Sequence, residues 1–352
     1  MTLTILSVAD PFAEVGPDAM GGAEQVLGAL DSALVRAGHR SLVVAAEGAR
    51  VAGTLIPLPR LRGAATEAAR AALYARLRDT LTDALNRAPV DLVHLHGPDG
   101  HAYMPPPGVP TLMTLHRPLD RYPAAALAPT RPATWLHGVS SAQQRAAPPG
   151  ARLLPPIENG VAVDKLAIRV PKRRFAVALG RICPEKGFHL ALDAATAADM
   201  QALLAGVIDA DPEHERYFRE EIQPRLDGRR RFLGAVGFAR KRWMLGSARC
   251  LLAPSLGAES SSLVAMEALA CGTPVVAFPS GALAEIVEPG VTGFLVENVQ
   301  EMADAIAEAE RLDPDACRAA ARGRHSVEIM ASRYMALYEQ LVTGAEQKVG
   351  AA

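Results

Sequence analysis

Short β-rich runs alternate with helical stretches along the whole chain. That alternation constrains the fold more than any other feature, because it is the signature of parallel sheets covered by helices on both faces. The runs in the first half are 3–9, 41–46, 90–96, 111–116 and 135–140. Those in the second half are 174–179, 201–207, 231–236, 249–254, 274–278 and 293–296. Each half reads as a doubly wound α/β unit. The 352 residues also divide into two domains at roughly 150 residues apiece. Leu27, Leu30 and Leu34 mark a helix that Gly38 closes, and further helices are expected over 299–312 and 326–342. The stretch 60–87 carries Leu73, Leu77, Leu81 and Leu85 every four residues beside a surplus of arginine, as expected of a helix packed on a sheet with a solvated basic face. Segment 163–174 has no period and holds Pro171 followed by three basic residues, so the domain boundary is placed there and the cleft between the halves.

Composition removes several classes of function. With 37 basic and 38 acidic residues the net charge is −1, which leaves no general field for nucleic acid, so an anionic ligand must meet local charge. The start has no basic leader, and no apolar run reaches 18 residues, so neither a signal peptide nor a membrane span is expected. Cys183, Cys250, Cys271 and Cys317 are widely spaced without a Cys-x-x-Cys pair, which argues against a disulfide framework or zinc cage. A reduced, cytoplasmic enzyme is expected.

Three constellations carry chemistry. After the first strand, Met20-Gly21-Gly22-Ala23-Glu24 opens a helix, where glycines admit a ligand to the backbone and the helix start offers unpaired N–H groups to phosphate. A dinucleotide fingerprint is absent. In the second half Gly180-Arg181 and Lys186-Gly187 follow a strand, placing two cations at its carboxyl end, where such sheets bind ligands. The chain has only five lysines, Lys165, Lys172, Lys186, Lys241 and Lys348, against 32 arginines, so a lysine kept at this position is notable. The stretch 254–276 reads strand, loop, helix, glycine stop, strand, with Glu259 in the loop and Glu267 within an otherwise apolar helix. A carboxylate there is costly unless its face opens on a ligand or a partner charge. The helix start from Ser262 through Leu263 to Val264 offers N–H groups to a phosphate between the two acids.

Taken together, Gly21-Gly22-Ala23-Glu24, Val93-His94-Leu95-His96-Gly97, Thr114-Leu115-His116, Asn159-Gly160, Gly180-Arg181 with Lys186-Gly187, and the Glu-x7-Glu segment ending Ala270-Cys271-Gly272-Thr273-Pro274 resemble the retaining, nucleotide-sugar-dependent glycosyltransferases of family 4, also called glycosyl transferases group 1. The resemblance covers nearly the whole chain. It implies the GT-B fold, an α/β architecture of two Rossmann-like, doubly wound parallel-sheet domains facing a cleft. The division expected is 1–164 on the acceptor side, with a crossing helix 326–345, and 165–325 on the nucleotide-sugar side. It further implies that Glu267 holds the ribose hydroxyls and that Glu259 contacts the transferred sugar. Arg181 and Lys186 would neutralise the diphosphate, and Gly21, Gly22 and the amides at Ser262, Leu263 and Val264 would line it. Val236 would flank the base, and His116 would sit beside the sugar. Family members commonly carry Glu-Gly-Phe-Gly where this chain has Glu259-Ser260-Ser261-Ser262, a departure that touches sugar selectivity.

The implied activity moves a hexose-type sugar from a nucleotide donor, UDP-sugar first among them, to a hydroxyl of a small-molecule, glycan or lipid-linked acceptor. No cofactor and no catalytic metal are expected, since Arg181, Lys186 and helix N-termini can stabilise the departing diphosphate electrostatically. Nucleic acid is not an expected partner, and peripheral contact at the inner membrane face stays open. The alternatives weighed are a sugar-nucleotide epimerase and a non-catalytic sugar-nucleotide-binding protein on the same fold. A metal cluster of His94, His96, His101 and His116 is a competing reading of the histidines.

Overall fold

The computed structural model describes residues 1–16, 19, 21–60 and 66–349, the side chains of 345–349 excepted. Of the residues singled out above, Met20 lies outside that set, as does 61–65 at the start of the expected helix 60–87. The chain forms two compact units, one of Met1–Asn159 with Val327–Ala352 and the other of Gly160–Ser326, where the sequence suggested a division after Asp164.

The first unit is built on a seven-stranded sheet in the order β3-β2-β1-β4-β5-β6-β7, every pairing parallel. Its strands are β1 (Thr4–Val8), β2 (Arg40–Ala46), β3 (Thr54–Leu58), β4 (Leu92–Leu95), β5 (Thr111–Leu115), β6 (Thr134–Gly138) and β7 (Leu153–Leu154). The second unit has six parallel strands in the order β10-β9-β8-β11-β12-β13. These are β8 (Phe175–Leu179), β9 (Gln201–Ala205), β10 (Arg230–Phe232), β11 (Cys250–Ala253), β12 (Val275–Ala277) and β13 (Gly293–Leu295).

Alternation along these strands explains why they read as near-continuous apolar runs. In the second unit Val177, Leu251, Val275 and Ala277 enter one core, whereas Ala176, Ala178, Leu252 and Val276 enter the core on the opposite face. Both faces are covered, so neither parity of side chain can be polar. In the first unit Leu73, Leu77 and Leu81 bury one side of the helix Glu67–Arg87, and Thr66 caps its start by accepting from Ala69 N. The last helix, Val327–Val349, runs past the expected 342, and its Tyr334 and Tyr338 are fully buried in the first unit. The segment 118–132 contains a 3-10 turn at Leu119–Arg121 and a short helix at Ala124–Leu127, both with buried leucines.

Candidate functional site

In the second unit the loop after β8 and the loop after β11 are tied together by their backbones. Leu256 N and Gly257 N both donate to the carbonyl of Glu185, at 2.8 and 3.1 Å. Gly187 follows in the left-handed region at φ 62°, and a Cβ there would lie 2.2 Å from the carbonyl of Pro254. Only glycine permits that approach, and it fixes the 3-10 turn Pro184–Lys186 over the second loop. Lys186 Nζ consequently donates to Glu259 Oε1, and Ser255 Oγ donates to the same oxygen at 2.6 Å. Glu259 also anchors the loop through its backbone, its carbonyl accepting from Ala282 N at 2.8 Å. Two of the residues singled out from sequence are thus partners of each other.

Beyond Glu259 the chain enters the helix Leu263–Ala270 through three serines. Ser262 occupies the N-cap position, yet its side chain makes no capping hydrogen bond. The hydroxyls of Ser260 and Ser261 are buried without a hydrogen-bond partner. Buried polar groups are nearly always satisfied, so two orphaned hydroxyls at an uncapped helix start mark a place suited to a polar, anionic ligand. Leu263 and Val264 form the first turn and are half-buried.

Glu267, one helical stretch later, is buried, and burial pushes its carboxyl above the usual range while Lys241 pulls it back. Lys241 Nζ donates to Glu267 Oε1 at 2.5 Å from the helix Phe238–Ser247, and both side chains are largely shielded. Sequence reasoning counted Lys241 among five lysines and gave it no role. Lysine scarcity was the one available signal, because the pair is 26 residues apart and no local period links them. Val236 packs against the same core just before that helix, half-buried.

Arg181 pairs with a different acid from Lys186. Its side chain is 65% exposed and lies 3.8 Å from Asp209. Two Asp-x-Asp triplets occur, at 209–211 and 313–315; Asp209 faces Arg181 at 3.8 Å and His214 at 3.6 Å, and the other three acids serve caps and surface ion pairs. Asp211 caps the helix Pro212–Tyr217, Asp313 caps the helix Pro314–Arg324, and Asp315 pairs with Arg169 and Arg318.

In the first unit Gly21 precedes the helix Gly22–Arg36, and Glu24 folds back so closely that a Cβ on Gly21 would meet Glu24 Oε2 at 1.8 Å. Burial raises the Glu24 and Asp10 carboxyls. His116 directly follows β5, half-buried, with its Nε2 3.3 Å from His96 Nδ1 and the two rings stacked. Burial, reinforced by His137, lowers its imidazole to about 3, so it is neutral.

The other histidines form a directed hydrogen-bond chain. His137 Nδ1 donates to the carbonyl of Gly138 at 2.8 Å, which leaves Nε2 to accept from Thr114 Oγ1 at 2.7 Å. Thr114 has one proton and has spent it, so His94 Nε2 donates to Thr114 at 2.7 Å, and His94 Nδ1 accepts from Tyr338 Oη at 2.7 Å. Burial holds His94 and His137 below the usual histidine range, in keeping with neutral rings. Both nitrogens of His94 are occupied by protein, and among the described residues no set of three metal-ligating groups gathers around these histidines.

The two units and their parallel sheets define a class, the GT-B fold. Solved structures share it over nearly the whole chain. AviGT4, a glycosyltransferase involved in avilamycin A biosynthesis, covers 97% of this chain and 98% of its own, with a TM-score of 0.71 at 24% identity. Anabaena HepE in complex with UDP-glucose covers 96% and 99%, with a TM-score of 0.74 at 20% identity. Family models agree half by half: residues 20–147 match Glycosyltransferase Family 4 and residues 173–310 match Glycosyl transferases group 1. The chain belongs to the family 4, group 1 glycosyltransferases.

Among curated proteins, the phosphatidyl-myo-inositol mannosyltransferase of Mycobacterium leprae is 32% identical over 210 residues, 53% of this chain and 54% of that one. The D-inositol 3-phosphate glycosyltransferase of Mycobacterium bovis is 34% identical over 180 residues, 49% and 37% respectively. The chain spans about half the length of the first of these relatives, or less for the second, as it matches them. No helix among the described residues is long and apolar enough to cross a membrane.

Proposed function

We propose that this protein transfers a hexose from a nucleotide-diphosphate sugar to an acceptor hydroxyl with retention of configuration, no divalent metal bridging the diphosphate. The observation that carries the reading is the cluster of Lys186, Glu259 and the uncapped Ser262–Val264 helix start in a chain of this family. Departure of the nucleoside diphosphate builds negative charge on phosphate, and a lysine with helix-terminal N–H groups stabilises it. Lys186 now neutralises Glu259, and an incoming diphosphate offers it a second anion. Glu259 Oε1 already accepts from two donors, which suits a carboxylate that orients sugar hydroxyls better than a nucleophile. The acceptor oxygen then bonds to the anomeric carbon as the bond to phosphate breaks, and the acceptor proton passes to the departing phosphate oxygen. Buried Glu267 supplies carboxylate oxygens for the ribose diol, with Lys241 opposing the effect of burial and favouring the ionised form.

UDP-sugars are the first donors to try, supported by the shared fold with the UDP-glucose-bound HepE. The names of the mycobacterial relatives favour an inositol-type hydroxyl, free or lipid-linked, as the first acceptor class. A reducing, cytoplasmic setting suits the four free, buried cysteines. The transferase relatives give an epimerase or a non-catalytic binder no support. The test is thermal stabilisation by UDP, GDP, ADP, TDP and CDP sugars without Mg²⁺, followed by product analysis with inositol acceptors. A ligand at 100 times its Kd stabilises by about 2.7 kcal/mol. One nucleotide should shift the wild type but not Glu267→Gln, and the glycoside formed should keep the donor's anomeric configuration. Absence of any shift across the panel sinks the donor site.

A further inference from the structure

The loops leaving β8 and β9 run side by side, Ile182 N donating to the carbonyl of Val207 at 2.8 Å. That pairing brings Cys183, from the first loop, against the helix Pro212–Tyr217 that follows the second. One ligand atom each from Cys183, Glu185 and His214 lies within 4.8 Å of the others, and no other such trio of cysteine, histidine or acidic groups occurs among the described residues. Three atoms that close together have a common centre no more than about 2.8 Å from each, within a small side-chain adjustment of zinc's bond lengths to sulfur, nitrogen and oxygen. A second observation points the same way: His214 Nδ1 is buried without a hydrogen-bond partner, and the Asp209 carboxylate stands 3.6 Å off.

We propose that Cys183, Glu185 and His214 bind a zinc-type divalent ion. The donor set of thiolate, carboxylate and imidazole suits a borderline-soft cation and discriminates against Mg²⁺ and Ca²⁺, which take oxygen. Thiolate and carboxylate together balance the ion's two charges, and the thiol proton leaves to solvent on binding. Asp209, whose carboxylate faces the same Nδ1 at 3.6 Å, is placed to supply a fourth ligand. The ion would join the Cys183–Lys186 turn to the helix Pro212–Tyr217 and so brace the base of Lys186 from behind. This is a structural strut, and it stands whether or not the donor reading holds.

The full chain, freed of metal with a chelator, is titrated with Co²⁺ as a spectroscopic probe and then with Zn²⁺. One equivalent of Co²⁺ should give a thiolate charge-transfer band with the intense visible bands of a four-coordinate site, and Zn²⁺ should displace it. Cys183→Ser should abolish the charge-transfer band. His214→Ala, at a half-buried helical position where folding is little affected, should weaken Co²⁺ binding at least tenfold. Absence of a thiolate band in the wild type overturns the proposal, and so does an undiminished band in His214→Ala. Circular dichroism melts of each variant distinguish loss of the site from loss of the fold.

Discussion

Lys241 and Glu267 show how much a buried site depends on one unanticipated partner. Removing the ammonium leaves burial of Glu267 unopposed, so Lys241→Met pushes that carboxyl further above its usual value. An acid whose folded-state pKa is raised binds its proton more tightly folded than unfolded. Stability therefore falls as pH rises from the unfolded value, 4.5, through the raised folded value. We expect Lys241→Met to be less stable than wild type by about 3 kcal/mol at neutral pH, with the gap narrowing toward pH 5. Urea unfolding at the two pH values checks this, and an equal gap at both contradicts the account. Adding Glu267→Gln should restore most of the loss, because it removes the stranded charge. For Lys186, which faces Glu259, the expectation concerns rate: Lys186→Ala should lower kcat/KM of transfer by about 10²–10³-fold, as loss of one charge-stabilising donor does elsewhere. A smaller loss, with KM alone altered, would assign Lys186 to ground-state binding.

At the scale of elements, the relay from Tyr338 through His94 and Thr114 to His137 joins β4, β5 and β6 to the last helix. Thr114→Val removes the acceptor for His94 and the donor for His137 while keeping the volume. The two ring nitrogens left unpaired should cost about 1–3 kcal/mol each, and thermal unfolding measures the loss. The same relay carries a pH signature. A histidine lowered on folding is protonated first in the unfolded chain, so its contribution is complete above 6.5 and drains away as pH falls toward the folded value. For His137 that value is about 4. Stability of the first unit should decline by about 1.4 kcal/mol per pH unit for each such group over that range, and His137→Gln should flatten the slope. This network also marks a limit of legibility. His94 and His96 were visible as polar residues on one expected strand, but that His94 is held by protein and does not face a ligand depends on Thr114 and on Tyr338, more than 200 residues away. The eleven runs seen in the sequence correspond to strands because burial on both faces makes most of them mainly apolar; β10, Arg230–Phe232 at the sheet edge, is the polar exception. β3 escaped notice because it is an edge strand holding Pro57, and β7 because two residues show no period. Within the site, motif residues such as Glu259 and Lys186 were legible one by one, while their pairing required the Gly187 turn.

Across the whole molecule the two units are unequal in chain logic. The second is one continuous stretch, Gly160–Ser326, whereas the first needs Val327–Val349 to complete its core. Truncation after Ser326 should therefore strip hydrogen-exchange protection from β4 and β5 while β11 and β12 keep theirs. Loss of protection in both units would show that the second depends on the first. The same arrangement sets an order of assembly in the cell. Residues 1–159 emerge from the ribosome before the second unit, yet the helix that completes their core is polymerised only after that unit has been made. At about 5–20 residues per second, the nascent first unit waits roughly nine to thirty-six seconds with the slot open where Tyr334 and Tyr338 belong and with His94 and Thr114 lacking their tyrosine partners. A copy of the chain caught at that stage carries a first unit still lacking the helix that completes its core.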